Sequence, residues 1–264
     1  MCLAEMLIKG QNAENICYQD TMKADRFKST KMRFVLENPP FGTAWGGKDA
    51  AEGVEDAVNA EYQKGVDGRW GAGLPGSGDM QMLFLQSAID KMDDNFGRAA
   101  IIENGSPLFS GGTASGESQI RRWMLENDLI EAIIALPTDL FYNTGIATYI
   151  WVLSKNKRAE RKGKIQLIDA SSFFHKLRKA LGDKKNEISP EDRSTVTKLY
   201  AEFAENEYCK IYDNEEFIYR EYTVMQPLQR SYAITEERIE AMLSKGALSS
   251  LYDQAKVNEL ENAE

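Results

Sequence analysis

The tetrapeptide Asn38-Pro39-Pro40-Phe41 combines residue types that suit the recognition of an amine. Each proline fixes its own φ and has no N–H to donate, and a residue that precedes proline is pushed toward extended geometry. The segment is therefore a stiff loop whose carbonyl oxygens and single amide side chain accept hydrogen bonds. If the Asn38 side-chain oxygen and the Pro39 carbonyl each accept one N–H, a conjugated amine nitrogen is drawn toward tetrahedral geometry.

This geometry would activate an exocyclic amine such as adenine N6 without a strong base. The lone pair of that nitrogen is delocalised into the ring, and localising it lets it point at an electrophilic methyl group. The gain comes from orientation and from fixed dipoles that face the positive charge developing on nitrogen. Phe41 can stack on a base that has left its duplex. Asn-Pro is also a common turn dipeptide, so the tetrapeptide alone leaves a simple strand-ending turn as the alternative.

The loop follows an apolar run, 32–36, that predicts a buried strand ending at Glu37 and Asn38, since proline cannot continue a central strand. Ligands of open α/β sheets bind at such strand ends. The pattern predicts further strands over 15–19, 98–103, 129–136, 147–153 and 164–168, and helices over 80–94 and 117–126, with Asp79 as the N-cap of the first helix. Strands separated by helices indicate an α/β fold with a largely parallel sheet.

After about Asp169 the charge rises, strands become rare and helical patterns appear near 190–205, 235–244 and 247–262. We therefore divide the chain at residue 170 and predict a mainly helical region over 171–264. The run Lys176–Lys185 is basic, and a solvated helix face is favoured over contact with DNA as its explanation.

Composition narrows the class of protein. Apolar residues make up 42 % and charged residues 28 % of the 264 positions, as in an ordinary globular protein. The net charge is −9, so either nucleic acid is not a partner or another subunit supplies most phosphate contacts. Cys2, Cys17 and Cys209 lie far apart and form no CxxC pair, which argues against a disulfide scaffold or a zinc site and fits a reducing cytoplasm. His175 has no recognisable Ser or Cys partner and is predicted to be a surface or interface histidine.

Six segments resemble the methylation subunit of type I restriction–modification systems, a family of N6-adenine DNA methyltransferases. The segment LPTDLFYNTGIATYIWVLSK is very specific to these enzymes, whereas NPPFG is shared with other amino-methyltransferases. The resemblance runs from near the N-terminus to about residue 235. The segments are NICYQDTM (15–22), VLENPPFGTAW (35–45), DMQMLFLQSAI (79–89), GRAAIIENGSPLFSG (97–111), IRRWMLENDLIEAIIALPTDLFYNTGIATYIWVLSK (120–155) and KIQLIDAS (164–171).

The resemblance implies a class I S-adenosylmethionine-dependent methyltransferase sheet, Rossmann-like and α/β, that is incomplete at its N-terminal strands and carries a C-terminal helical appendage. Residues 1–170 would be the C-terminal part of the catalytic domain. The methyl donor would be S-adenosyl-L-methionine, and no metal is implied. Asp20 matches the family's acidic position that contacts the donor's adenine, and Asn38, Pro39, Pro40 and Phe41 match its catalytic loop.

The partners that the resemblance implies are DNA, a specificity subunit that reads the DNA sequence and a second methylation subunit, with a restriction subunit as a further candidate. The location would be cytoplasmic, without a membrane partner. Delegation of base readout and of much of the phosphate clamp to other subunits would account for the charge of −9. The alternative to an enzyme is a non-catalytic interaction module that binds the specificity subunit, and residues of about 235–262 would form the contact in either case.

The chain also departs from the family pattern. The family's glycine-rich donor loop and its ribose-binding acid lie upstream of NICYQDTM, as does its N-terminal helical domain, and nothing upstream here is long enough to hold them. We therefore expect a truncated enzyme that keeps strands three to seven of the order 3-2-1-4-5-7-6. Strand three, 15–19, would be detached or irregularly packed, strand four would expose an apolar edge, and donor binding would be weak.

The glycine-rich stretch 43–78 is long and has little periodicity, as functional or mobile segments often do. Residues Gly71–Gly76 satisfy GxGxxG, but no predicted strand precedes them and Pro75 lies inside, whereas the dinucleotide fingerprint needs a strand before it and a helix after it. A mobile loop over DNA is the better interpretation, and a dehydrogenase fragment fails on this context. Trp45 and Trp70 lie in the stretch and are expected to pack, with contact to DNA as the alternative.

Overall fold

The computed structural model describes residues 2–226, 234–244 and 253–263, which belong to two compact units that divide after Arg220. The second unit contains the helices α7 (Glu236–Ser244) and α8 (Gln254–Glu261). The elements of the first unit are α1 (Cys2–Ile8), β1 (Phe34–Glu37), α2 (Val54–Tyr62), α3 (Gln81–Lys91), β2 (Arg98–Asn104), α4 (Ser106–Phe109), α5 (Gly116–Glu126), β3 (Ile130–Ala135), β4 (Thr148–Ser154), β5 (Lys164–Asp169), β6 (His175–Leu181), β7 (Lys184–Glu187), α6 (Pro190–Glu202) and β8 (Cys209–Asp213).

The main sheet has the strand order β1-β2-β4-β3-β5-β8. β1 pairs parallel with β2 and β3 pairs parallel with β5, whereas β4 runs antiparallel to both β2 and β3, and β8 runs antiparallel to β5. Strands β1, β2, β3 and β5 therefore point the same way, and their carboxyl ends meet at one edge of the sheet. We call this the carboxyl edge. The first four positions reproduce the predicted order 4-5-7-6, and the α/β fold class is confirmed.

One face of the sheet packs against α3 and α5. The helix α3 buries Met82, Leu85 and Ile89 at helical spacing, and α5 buries Ile120 and Met124. The sheet contributes the alternate residues of its strands to the same core, Val35, Ala99, Ile101, Leu153, Trp151 and Ile165 among them. Because side chains alternate across a strand, one face of β1 and β2 joins this core. The helix α6 packs through Val196, Leu199 and Tyr200 with a second group of buried residues from β3 and β5.

The predicted strand at 15–19 does not form. Residues Ala13–Asn15 make a turn of 3-10 helix, and residues 16–19 have no regular secondary structure and are mostly exposed, Tyr18 fully so. A strand is stable only when its backbone groups pair with a neighbour, and no described strand lies beyond β1 on that side of the sheet. β1 is the outer strand, and its Leu36 side chain is 80 % exposed, so the expected apolar edge is present.

The region after residue 170 is less helical than predicted. The basic run Lys176–Lys185 lies on a two-stranded hairpin, β6–β7, so its interpretation as a helix face is wrong. β8 adds to the main sheet beside β5. These strands form through long-range or hairpin pairing, which a local pattern rich in charged residues does not reveal. The predicted helices near 190–205 and 235–244 are confirmed, and α8 matches part of 247–262, the rest of which includes 247–252, outside the described residues.

Candidate functional site

The tetrapeptide Asn38–Phe41 follows β1 directly and so lies at the carboxyl edge. Pro39 is buried, Phe41 is half-buried, and Asn38 and Pro40 are exposed. The buried Pro39, with its fixed φ, thus anchors the loop, and the side-chain amide of Asn38 before it is exposed to solvent. Within the described part of the chain the Asn38 side chain makes no hydrogen bond, which leaves its oxygen available as an acceptor.

The chain that leaves this loop is tied to the segment that starts α3. The Met80 amide donates to the Thr43 carbonyl at 3.0 Å. The Trp45 amide donates to the Ser77 carbonyl at 2.9 Å, and the Trp45 indole N–H donates to the Gly76 carbonyl at 3.2 Å. Both ends of the candidate loop are therefore attached to regular structure, β1 on one side and the approach to α3 on the other.

The stretch 43–78 folds around a core of its own, which we call the insertion core. It consists of Met22, Trp45, Val54, Val58, Trp70, Met80 and Leu83. Trp70 is 0 % exposed and Trp45 is 6 % exposed, so the prediction that they pack is confirmed and neither indole is presented to DNA. The interpretation of the whole stretch as a loop is corrected, because α2 lies within it and places Val54 and Val58 in this core. The apolar residues are too widely spaced in the sequence to show periodicity.

The glycine run 71–76 packs on the start of α5. The Gln86 side chain donates to the Gly73 carbonyl at 3.0 Å, and the Gly76 amide donates to the Glu117 carboxylate at 2.7 Å. A Cβ added at Gly116 would lie 1.6 Å from the Leu74 carbonyl oxygen, so close backbone approach explains a glycine there. No strand of the described chain leads into the run, and its rejection as a dinucleotide fingerprint holds.

Asp20 lies on the same packed unit, although no strand supports it. Its side chain is exposed, and its Oδ1 accepts the Met22 amide at 2.9 Å. Met22 is buried in the insertion core, and Arg69 donates to the Thr21 carbonyl at 2.7 Å. The insertion core thus connects Asp20 with the segment that follows Phe41. Asp20 therefore presents an exposed carboxylate on a segment that is attached to this core. No strand of the described chain precedes this segment or leads into a glycine turn beside it.

Sequence reasoning missed a group of carboxylates beside the loop. Glu103, in β2, is fully buried, and neither of its carboxyl oxygens has a hydrogen-bond partner among the described residues. Burial raises the pKa of Glu103 to about 9, and the nearby charges of Asp79 and Glu37 add to the effect. Burial also raises the pKa of Glu37, which directly precedes Asn38, to about 7. In the sequence, the sign of this site was a glutamate at the end of the apolar run 98–103.

The structure has a small cavity near the candidate loop and a larger groove away from it. A cavity of about 230 Å³ at the end of β2 is lined by Asp79, Gln81, Ser106 and Glu117 among others. A groove of about 1310 Å³ lies over the sheet between α5, β5 and β8, and it shares no residue with the candidate loop. Size alone would favour the groove, but the acceptor chemistry lies at the loop.

Three further observations concern ions, membranes and His175. Among the described residues, no set of three or more His, Cys, Asp and Glu side chains is placed to hold a metal ion. No helix in the described ranges has the length and apolar character to cross a membrane. His175 is exposed, with its Nε2 3.2 Å from the Glu187 carboxylate, so it is a surface residue as predicted.

A protein-family model matches most of the chain. The model of the family described as N-6 DNA Methylase matches residues 1–238. Two curated relatives illustrate the degree of similarity. The type I restriction enzyme MjaVIII methylase subunit of Methanocaldococcus jannaschii is 34 % identical over 166 residues, which cover 62 % of this chain and 26 % of the relative. The HindI methylase subunit of Haemophilus influenzae is 32 % identical over 154 residues, 58 % of this chain and 30 % of that protein.

The fold is also found in solved structures. The methyltransferase subunit of the type I restriction–modification system from Streptococcus thermophilus superposes with a TM-score of 0.65 and 24 % identity, covering 80 % of this chain and 41 % of that one. A modification subunit of a type I restriction enzyme from Vibrio vulnificus superposes with a TM-score of 0.58 and 17 % identity. At these identities the likeness establishes the fold alone. The chain spans 26 % and 30 % of the lengths of the two curated relatives above.

Proposed function

Since this chain belongs to the N-6 DNA methylase family, we propose that it supplies the target-base side of an active site that methylates adenine N6 in DNA. S-adenosyl-L-methionine is the proposed methyl donor. The chain would act as the modification subunit of a type I restriction–modification complex, together with a specificity subunit, a second methylation subunit and a restriction subunit. The observation that carries the proposal is the exposed Asn38 amide, without a partner among the described residues, on a loop anchored by buried Pro39 at the carboxyl edge.

The proposed role of this chain's residues is to orient the amine. The Asn38 side-chain oxygen and the Pro39 carbonyl each accept one N–H of adenine N6, so that the nitrogen lone pair localises. The same two dipoles face the positive charge that appears on nitrogen as the N–C bond forms and the S–C bond breaks. The methylated nitrogen then releases one proton to solvent. Phe41 stacks on the flipped base.

The donor supplies an electrophilic methyl group when it is bound. Of the residues present, Asp20 is the one proposed to hold it, through its exposed carboxylate toward the adenine amine. The attachment of Asp20 to the insertion core supports this assignment, since the same core holds Met80, which binds the segment after Phe41. The weak donor binding expected from the sequence stays a prediction.

The change Asn38→Ala tests the proposed role directly. It removes one of the two acceptors, and we expect the rate of methyl transfer to fall roughly 10²-fold to 10³-fold, as for the loss of one fixed transition-state dipole. The measurement is transfer of a labelled methyl group from S-adenosylmethionine to DNA by the native complex, purified through an affinity tag on this chain. The subunits that copurify are compared by gel.

Asn95→Ala is the matched control, because Asn95 is an exposed loop asparagine that precedes β2, at the opposite edge of the sheet. This variant should retain full activity. The alternative function, an interaction module without catalysis, predicts the same methylation in both variants and in the unaltered complex. Unchanged transfer by Asn38→Ala would therefore contradict the proposed role, whereas lost transfer with an intact set of subunits supports it.

A further inference from the structure

The hairpin β6–β7 concentrates positive charge in a chain whose net charge is −9. Residues 175–187 contain five basic side chains against the acidic Asp183 and Glu187. The five are Lys176, Arg178, Lys179, Lys184 and Lys185. The sign of the local charge is thus opposite to that of the whole molecule.

Three of these cations make no polar contact with the rest of the described chain. Lys176, Arg178 and Lys179 are exposed, and within the described residues none of them takes part in an ion pair or a hydrogen bond. Lys185 differs, because its Nζ lies 3.3 Å from the Asp139 carboxylate, and the Lys184 Nζ lies 5.4 Å from the centre of the Tyr142 ring. The hairpin therefore presents three charges to solvent while two others help to hold it.

The hairpin is fixed to the loop that follows β3. The Asp183 amide donates to the Tyr142 carbonyl at 3.0 Å, and the Lys185 amide donates to the Asp139 carbonyl at 2.9 Å. The buried Asn186 side chain donates to the Thr138 carbonyl at 2.9 Å. Gly182 makes the turn at φ 65°, and an added Cβ would lie 2.5 Å from the Tyr142 carbonyl oxygen. The basic strands are thus held in place from the carboxyl end of β3.

This attachment places the hairpin at the same edge of the sheet as Asn38. β1 and β3 point the same way and are separated by β2 and β4. Three inter-strand spacings correspond to about 14 Å between the two strand ends. Along one DNA strand, with one phosphate about every 3.4 Å of axis, this distance corresponds to about four nucleotides.

We propose that the β6–β7 hairpin is a contact for DNA phosphates a few nucleotides from the base that enters the Asn38 loop. The inference rests on the proposed function for its choice of DNA as partner. Lys and Arg side chains bind phosphate without reading sequence, so the hairpin positions the duplex and leaves the choice of target to another element. An acidic protein surface is the competing occupant, and the experiment below decides between the two.

The test is the salt dependence of DNA binding by the native complex, measured by fluorescence anisotropy with a duplex of unrelated sequence. The variant combines Lys176→Gln, Arg178→Gln and Lys179→Gln. If each cation neutralises one phosphate, the slope of log K against log salt becomes shallower by about 2.7, and affinity at low salt falls accordingly. The charge-conserving variant with Lys176→Arg, Arg178→Lys and Lys179→Arg should keep the original slope.

A matched control removes three exposed cations from the opposite edge of the sheet. Arg33 precedes β1, and Arg158 and Lys162 precede β5. The combination Arg33→Gln, Arg158→Gln and Lys162→Gln makes the same change in net charge and should leave the slope unchanged. Equal slopes in the hairpin variant and the unaltered complex would overturn the proposal, as would an equal effect of the control set. Absence of any salt-dependent DNA binding by the unaltered complex would overturn it too.

Failure of this proposal is distinguishable from failure of the proposed function. Asn38→Ala lowers methyl transfer but removes no phosphate contact, so its salt slope should match that of the unaltered complex. A shallower slope in the hairpin variant, together with no methyl transfer by the unaltered complex, would refute the function and retain the hairpin contact. If the hairpin variant instead loses a copurifying subunit while its DNA slope is unchanged, the hairpin binds protein and the DNA proposal is wrong.

Discussion

Asn38 and Glu103 lie at the carboxyl edge of the sheet, and only the first was predictable. The properties of the Asn38 loop are local, since two prolines fix its shape and the preceding apolar run places it at a strand end. The state of Glu103 depends on residues distant in sequence, because its burial requires the packed sheet and its neighbours Asp79 and Glu37 come from other segments. A single sequence shows the glutamate but not the surroundings that raise its pKa.

The raised pKa of Glu103 predicts a pH dependence of stability. The pKa rises from an ordinary 4.5 to about 9 in the folded chain, so folding favours the protonated form. Titration of Glu103 therefore leaves the free energy of unfolding at its full value below about pH 4.5. It lowers that free energy as the pH rises toward 9. Glu103→Gln removes this titration, and its unfolding temperature should exceed that of the unaltered chain at pH 8.5 but match it near pH 5. The gain at high pH is on the order of a few kcal/mol.

Thermal unfolding at a series of pH values measures this effect. Glu126→Gln is the control, because Glu126 is an exposed carboxylate whose ion pair with Arg122 is on the surface. The control should follow the pH profile of the unaltered chain. A Glu103→Gln profile parallel to that of the unaltered chain from pH 5 to 9 would show that Glu103 is ionised in the native state.

At the scale of elements, the strands with an uninterrupted apolar pattern were predicted close to their observed bounds, as were α3 and α5. Failures occurred where pairing decides the structure. Residues 15–19 have a strand-like pattern but no neighbour among the described strands, and they form no strand. The basic run that forms β6 was interpreted as a solvated helix face, yet β6 pairs with β7, and the unpredicted strand β8 pairs with β5. The local sequence pattern contains no information about a pairing strand that lies far along the chain.

The insertion core predicts how the candidate loop is held. Trp70 is fully buried there, so Trp70→Ala should lower the free energy of unfolding by about 3–5 kcal/mol. Trp70→Phe keeps part of the apolar volume and should cost less. Because Met80 belongs to this core and donates to the Thr43 carbonyl, methyl transfer should decline with the loss of packing.

Denaturant unfolding and the methyl-transfer assay together check this prediction. Tyr62→Ala supplies the comparison, since Tyr62 is exposed at the end of α2, and its effect on stability should stay within about 0.5 kcal/mol. If Trp70→Ala were as stable as Tyr62→Ala, the insertion core would contribute nothing to the fold.

At the scale of the whole molecule, the sequence predicted a family and a fold that the comparisons confirm. The net charge of −9 led us to expect that other subunits make the phosphate contacts. The hairpin qualifies this expectation, because five basic residues lie within 176–185 and the hairpin that carries them is attached at the carboxyl edge. Net charge is a sum over the surface and contains no information about such local concentration.

The identity of the nucleoside that is methylated tests the proposed role of the Asn38 loop. DNA is incubated with the native complex and S-adenosylmethionine carrying an isotopically labelled methyl group, digested to nucleosides and examined by mass spectrometry. We expect label in N6-methyl-2′-deoxyadenosine, reduced roughly 10²-fold or more by Asn38→Ala. Label in N4-methyl-2′-deoxycytidine, or undiminished adenine methylation in the Asn38→Ala complex, would show that the Asn38 loop does not act on adenine N6.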